Sequence, residues 1–517
     1  MHRDRLDRLE AEFEAANVRI GEATWSVYSG EGTPDLDGAH QQLAGLLTDA
    51  SNRQLVEEMY ARADSIRDRL LARRLSIWSN CFTSAQVDNA PEIFTLKNRL
   101  QQRIAAFQFE LEGHLIRRSE LQKVLRQEPD RERRHRAWQA TAALAAANRE
   151  DLRRLIALRN QKSRELGYRD YVDLALQLQE MDEHWLLSLL DRVTRAIRPL
   201  YSALVAALAE RLGVRSLAPW DVHYAMRQGY QLPDAHFPGE KVLERLYATA
   251  RAFGFAVDSL PIRTLVRDIP FGGYNVAVRI PSDTRFLVNP SEGQSFHATT
   301  FHEYGHSLQA VFTAVEWPIL KEYEWVMGAH TGAYSEGMAE VIGDFTRRAD
   351  WLRRVAEVPD QDIEQYISRM LPAQMALRFH DLLLNFRVEL AAYSESVEDT
   401  GVLERRLTRE IRLIEFPEAD APLWEANTWY TSYPIYWQNY ILASIVAAQI
   451  HDSITERCGR DVCGNPAVAE YLRHAFYAHG NSIPWHERIL RGTGHPLDAD
   501  AYLRLIVVGD RDQGIVS

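Results

Sequence analysis

Thr300-Phe-His-Glu-Tyr-Gly-His306 is the stretch on which the reading of this chain turns. His302 and His306 stand four positions apart, a spacing that stacks two side chains on one face of an α-helix and lets both imidazoles reach one metal ion. Glu303, beside them, is left free to act as a base. The residues around the motif agree with a helix: Phe301, Leu308, Val311 and Phe312 recur at amphipathic intervals, and Arg285-Phe-Leu-Val-Asn289 before it reads as a short strand. His297 sits elsewhere on the helix and reads as structural.

Two histidines do not hold zinc; a catalytic site needs a third protein ligand and keeps the fourth position for water. The segment Gly328-Ala-His-Thr-Gly-Ala-Tyr-Ser-Glu-Gly-Met-Ala-Glu-Val-Ile-Gly-Asp344 reads as a loop followed by a helix, with Glu336, Glu340 and Asp344 along one face. Glu336 is the favoured ligand, because Gly337 beside it permits close helix packing and Glu340 is left to accept the spare N–H of a ligand histidine. In the alternative, Glu340 binds the metal and Asp344 orients the histidine. His330, in the glycine loop, reads equally well as a substrate contact or as loop packing.

Glu303 would take a proton from the metal-bound water and return it to a leaving amine, so the reaction also needs a donor for the developing oxyanion. The run from Trp429 to Gln449 offers Tyr430, Tyr433, Tyr436 and Tyr440 at the entrance to an apolar helix. A phenol donates a hydrogen bond without competing for zinc. For any single one of these tyrosines, a place in an aromatic core competes with that role.

The rest of the chain reads as mainly α. Helical periodicity covers Arg3 to about Glu22, a second stretch from about Gln41 into the seventies, Ile93 to Gln127 before Pro129, a further helix to Leu166 with Gly167 as its cap, and Leu186 to Leu212. Between Arg263 and Asn289 the pattern turns to β, with one convincing hairpin from Gly273 across Pro281-Ser-Asp-Thr. An edge of that hairpin beside the metal helix would pair with an extended substrate through Gly273 and Tyr274. With no repeat or flexible linker, residues 1–517 read as one catalytic unit, with 1–130 as an N-terminal helical lid and 131–517 as the core.

A net charge of −12 argues against nucleic acid or an anionic membrane as a partner. The arginines between Arg117 and Arg136 alternate with Glu112, Glu120, Glu128, Asp130 and Glu132, and read as a solvated helix face. Cys81, Cys458 and Cys463 are too few for a disulfide framework, and no apolar run suits a signal peptide or a membrane span, which together point to the cytoplasm.

These residues resemble the mainly helical zinc peptidases that include the angiotensin-converting-enzyme-like dipeptidyl carboxypeptidases and the thimet and oligoendopeptidase families, of the gluzincin type. The resemblance rests on His302-Glu-Tyr-Gly-His306, the glutamate helix after it, the Leu158-Arg-Asn to Leu-Gly-Tyr168 segment and the tyrosines at 429 to 440. It implies an elongated helical fold with a deep central cleft, a small sheet beside the active site, a zinc cofactor and cleavage of short peptides. An ungapped match places the family's transition-state-stabilising tyrosine on Tyr440 and a second on Tyr433. Asn439 stands where converting-enzyme-like members carry a chloride-binding arginine. Thr428 and Trp437 stand where those members grip a substrate's C-terminal carboxylate, so a strict dipeptidyl carboxypeptidase is not implied. A hydrolase of a specialised amide or non-peptide substrate on the same scaffold is the alternative, and a catalytically idle helical binding protein is the reading from another class.

Overall fold

The computed structural model describes residues 2–61, 68–269, 271–394, 400–418, 420–421 and 423–508. Helices dominate, as the periodicity predicts. The first runs His2–Ser29 and buries Leu6, Leu9, Phe13, Ala16 and Ile20 along one stripe. The single helix expected from Gln41 onward is instead three, Leu36–Thr48, Ala50–Tyr60 and Arg69–Asp88; residues 62–67 lie outside the described residues. Asp49 makes the first break, its carboxylate accepting the N–H groups of Ser51 and Asn52 and so starting a new helix.

The helix expected over Ile93 to Gln127 is also interrupted. Pro91–Ala106 and Arg118–Gln127 flank a hairpin of β1 (Phe109–Leu111) and β2 (His114–Ile116), so the hairpin at Gly273 is not the only one. Glu112 and Gly113 turn the chain with φ of 55° and 79°, the left-handed pair that a two-residue hairpin turn demands. The next expected helix is likewise two, Arg131–Gln139 and Ala142–Glu165. Its arginines are not all solvated: Arg131 and Arg134 both pair with the buried Asp221, whereas Arg133 and Arg136 pair with Glu112 near the surface.

The second sheet positions the site. β3 (Ile262–Val266), β4 (Gly273–Arg279) and β5 (Asp283–Val288) lie in the order β3-β5-β4, with β5 central, parallel to β3 and antiparallel to β4. The chain leaves β5 directly into the helix Gln294–Phe312, hereafter the histidine helix. Asn275 on the edge strand β4 ties the two together, donating to the Glu303 carbonyl (3.1 Å) and to Ser307 Oγ (2.6 Å).

The main core gathers side chains from Val87 to Ile506, including Phe301, Leu308, Met338, Val341 and Ile445. A second core belongs to the N-terminal helices, which pack Phe13, Trp78 and Phe82 against Ile280 and the segment holding Ile319, Leu320 and Tyr323. Among the described residues, no helix is long and apolar enough to cross a membrane. Cys81, Cys458 and Cys463 are all unpaired.

Candidate metal centre

The histidine helix lies against the helix Gly332–Asp344, the glutamate helix, which in turn lies against Trp437–Cys458. Glycine sets both approaches. A Cβ on Gly305 would stand 2.7 Å from Ala339 Cα, and one on Gly337 would stand 2.7 Å from Val446 Cγ1. The close packing expected of Gly337 is therefore present, against the Trp437–Cys458 helix, while Gly305 brings the glutamate row up to the histidines.

His302 Nε2 is 3.3 Å and His306 Nε2 3.8 Å from Glu336 Oε2, and the three ligand atoms all lie within 4.8 Å of one another. Donors ~2.1 Å from one tetrahedral ion stand ~3.4 Å apart, so the set has the dimensions of a metal site. The outward nitrogens are also engaged. His302 Nδ1 lies 3.2 Å from Glu340 Oε2, and His306 Nδ1 lies 3.3 Å from Ser335 Oγ. Glu340 pairs in turn with Arg378, and Arg347 is 3.8 Å away. Glu336 thus groups with the two inward nitrogens, whereas Glu340 faces the outward Nδ1 of His302. Asp344, the orienting group in the other assignment, pairs with Arg347 at 2.5 Å.

Electrostatics single out the same groups. Burial opposes a charge on His302, but Glu336 and Glu340 outweigh it and push its pKa up to about 10. Burial, helped by the charge on His302, pushes His306 down to about 4. Burial lifts Glu303 to about 7, with His302 pulling down and Glu336 pushing up. The Glu303 carboxylate, on a residue only 8% exposed, has no ion pair with an arginine or lysine among the described residues, and the Asn275 backbone lowers its pKa only slightly against burial. A dication at the His302–His306–Glu336 focus would take over from the His302 proton as the counter-charge to Glu336.

The tyrosine run divides. Tyr430 is core, its hydroxyl donating to the Asn385 carbonyl (3.1 Å). Tyr436 donates to Glu336 Oε1 at 3.1 Å, a contact that the sequence match, pointing to Tyr440 and Tyr433, passes over. Tyr440 stacks edge-on against Tyr436 with ring centroids 5.5 Å apart, and its hydroxyl is within electrostatic reach of Glu336 and Glu303. Tyr433 is 48% exposed and feels Glu324 and Glu336. Burial first, and the nearby carboxylates second, keep the Tyr436 and Tyr440 phenols protonated.

Gly273 lies against Glu303, where a Cβ would come 2.6 Å from Glu303 Cγ. Tyr274 packs edge-on against Tyr28 of the first helix at 5.3 Å. His330 sits in the loop before the glutamate helix with Nδ1 buried and unpartnered among the described residues, and burial lowers its pKa. His297 packs between Phe237 and Trp351 as a structural residue.

A model of Peptidase family M3 matches residues 124–258. Solved structures match nearly the whole chain. An M32 carboxypeptidase from Deinococcus radiodurans R1 is 14% identical with a TM-score of 0.69, covering 99% of each chain. A putative oligoendopeptidase F is 16% identical with a TM-score of 0.68, covering 99% of this chain and 97% of the other. Metallocarboxypeptidase 1 of Trypanosoma cruzi is 14% identical with a TM-score of 0.65, covering 98% and 99%. No curated protein matches the sequence. The fold is that of the helical M3 and M32 metallopeptidases.

Proposed function

We propose that this chain is a zinc metallopeptidase that hydrolyses peptide bonds of short peptides, with His302, His306 and Glu336 as ligands and Glu303 as general base. The observation that carries the reading is the convergence of three ligand atoms from two helices beside the buried carboxylate of Glu303. When bound, the metal polarises a water molecule and the scissile carbonyl.

This chain's residues do the rest. Glu303, with a pKa near neutrality, accepts the proton of the attacking water at its carboxylate and passes it to the leaving nitrogen. Tyr440 and Tyr433, with Tyr436 beside them, offer neutral O–H donors to the carbonyl oxygen as charge develops on it. Glu340, braced by Arg378, holds His302 in one tautomer and orientation. Gly273 lets Glu303 lie against the edge strand β4, where a substrate backbone would pair, and Tyr274 and His330 line its path.

We read residues 1–517 as one catalytic unit in which the helices before residue 130 form a lid. Tyr28 packing on Tyr274 joins those helices to the strand at the site. The partner is a short peptide, not nucleic acid or a membrane, and three unpaired thiols suit the cytoplasm. The specialised-amide alternative draws on Trp437, which packs against Trp429 and Tyr440 and offers no charge to a substrate's C-terminal carboxylate.

The test is hydrolysis of a mixed pool of short peptides by the wild type and by Glu303→Gln. Cleavage by the wild type and its loss in a variant that still binds zinc support the assignment. Zinc binding without cleavage of any peptide favours the specialised amide, and equal cleavage by both proteins removes Glu303 from the chemistry.

A further inference from the structure

The Leu158-Arg-Asn160 segment stands far from the histidine helix in sequence and takes no part in the chemistry above. Its arginine turns toward the tyrosine run. Arg159, fully buried, donates to the carbonyls of Tyr430 (3.1 Å) and Thr431 (2.8 Å) and to the Tyr393 hydroxyl (3.2 Å). Asn160 donates to the Tyr393 carbonyl (2.8 Å) and accepts the Tyr171 N–H (3.0 Å).

Two other buried polar groups act on the same stretch, at Ile435. Glu389 accepts the Ile435 N–H at 2.9 Å, and Gln179 donates to the Ile435 carbonyl at 3.2 Å while accepting from Asn439 at 2.7 Å. Ile435 itself has φ of 52°. A β-branched residue avoids that left-handed region unless its surroundings impose it. The kink directly precedes Tyr436, whose hydroxyl meets Glu336.

We propose that Arg159, Glu389 and Gln179 are positioning residues that clamp the 430–436 backbone, and that the clamp holds Tyr436 on the metal ligand Glu336. Arg159 suits the task because its planar fork serves two successive carbonyls at once, which a lysine ammonium cannot reproduce. Glu389 and Gln179 grip both sides of one kinked residue, so the direction in which the chain enters the Trp437–Cys458 helix is fixed by groups that never touch the site. The inference rests on the reading of Glu336 as a metal ligand.

The experiment is a double-mutant cycle on zinc affinity, measured against a chromogenic chelator, with hydrogen exchange followed in parallel. Tyr436→Phe and Arg159→Lys are each expected to weaken zinc about tenfold, as loss of a group that orients a ligand does. The double variant should bind no more weakly than either single, because both changes break one linkage. Backbone amides from 430 to 436 should exchange faster in Arg159→Lys while the histidine helix is unchanged. Unchanged exchange in that segment overturns the clamp, and so does a double variant whose losses add. If Tyr436→Phe leaves zinc affinity untouched while exchange still rises in Arg159→Lys, the clamp stands and its link to the metal ligand is overturned. Should Arg159→Lys fail to fold, Glu389→Leu enters the same cycle with the same outcomes.

Discussion

Glu303, beside the candidate metal centre, and Glu322, in the segment before the glutamate helix, both carry buried carboxylates, yet they meet opposite fates. Glu322 pairs with Arg488 at 2.7 Å, side chains 5% and 0% exposed, and the arginine holds its carboxyl below the usual range although burial pushes the other way. Among the described residues Glu303 pairs with no arginine or lysine, and burial lifts its pKa to about 7. At Glu322 the chain supplies the counter-charge itself. At Glu303 it supplies no arginine or lysine, and in the proposed reaction the proton of the attacking water takes that place.

The sharpest way to break that contrast is to neutralise each member. Glu303→Gln should lower kcat about a thousandfold, with zinc retained, as peptide-hydrolysis kinetics on metal-loaded protein would show. Arg488→Met should leave activity chemistry intact but strand Glu322, lowering stability by about 3–5 kcal/mol in urea denaturation. Adding Glu322→Gln to that variant should recover part of the loss. If Arg488→Met is neutral, the scaffold half of the comparison fails.

A third test turns on pH. Glu303 binds its proton more tightly in the folded, metal-free protein, at about 7, than at the ordinary value of 4.5. Its contribution is therefore complete below about pH 4.5 and is lost as pH rises through 7. Glu303→Gln should raise the Tm of metal-free protein at pH 8, by on the order of 2–3 kcal/mol of stability, and should give no gain at pH 4.5. Calorimetry at the two pH values decides it. Smaller still is the proton count on metal binding. With His302 at about 10 in the metal-free site, zinc must displace its proton at neutral pH, and titration calorimetry in buffers of different ionisation enthalpy should show about one proton released.

How much of this was legible in the sequence follows from how local each signal is. His302, Glu303 and His306 declare themselves by helical spacing, and Glu336 with Glu340 by carboxylates on an otherwise apolar helix. Gly273 to Asn289 reads as strands because its alternation is local. The hairpin at Phe109–Ile116 was hidden by helix-forming neighbours, with Glu112-Gly113 as its one signal. The pairing of β3 with β5 left no mark, because parallel register is set by packing across intervening chain. Tyr436 illustrates the limit: four tyrosines of similar context cannot be ranked until the kink at Ile435 determines which hydroxyl faces Glu336. Arg159 with the Tyr430 and Thr431 carbonyls, and Glu322 with Arg488, are contacts between distant segments that no periodicity foretells.

The central claim is that one divalent metal sits among His302, His306 and Glu336. Elemental analysis of bound zinc after exhaustive dialysis, on wild type, Glu336→Ala and Glu340→Gln, tests it directly. The account predicts about one zinc per chain in the wild type, near-complete loss in Glu336→Ala, and zinc held more weakly in Glu340→Gln. A wild type that binds no metal, or a Glu336→Ala variant that keeps its zinc while Glu340→Gln loses it, would contradict the assignment.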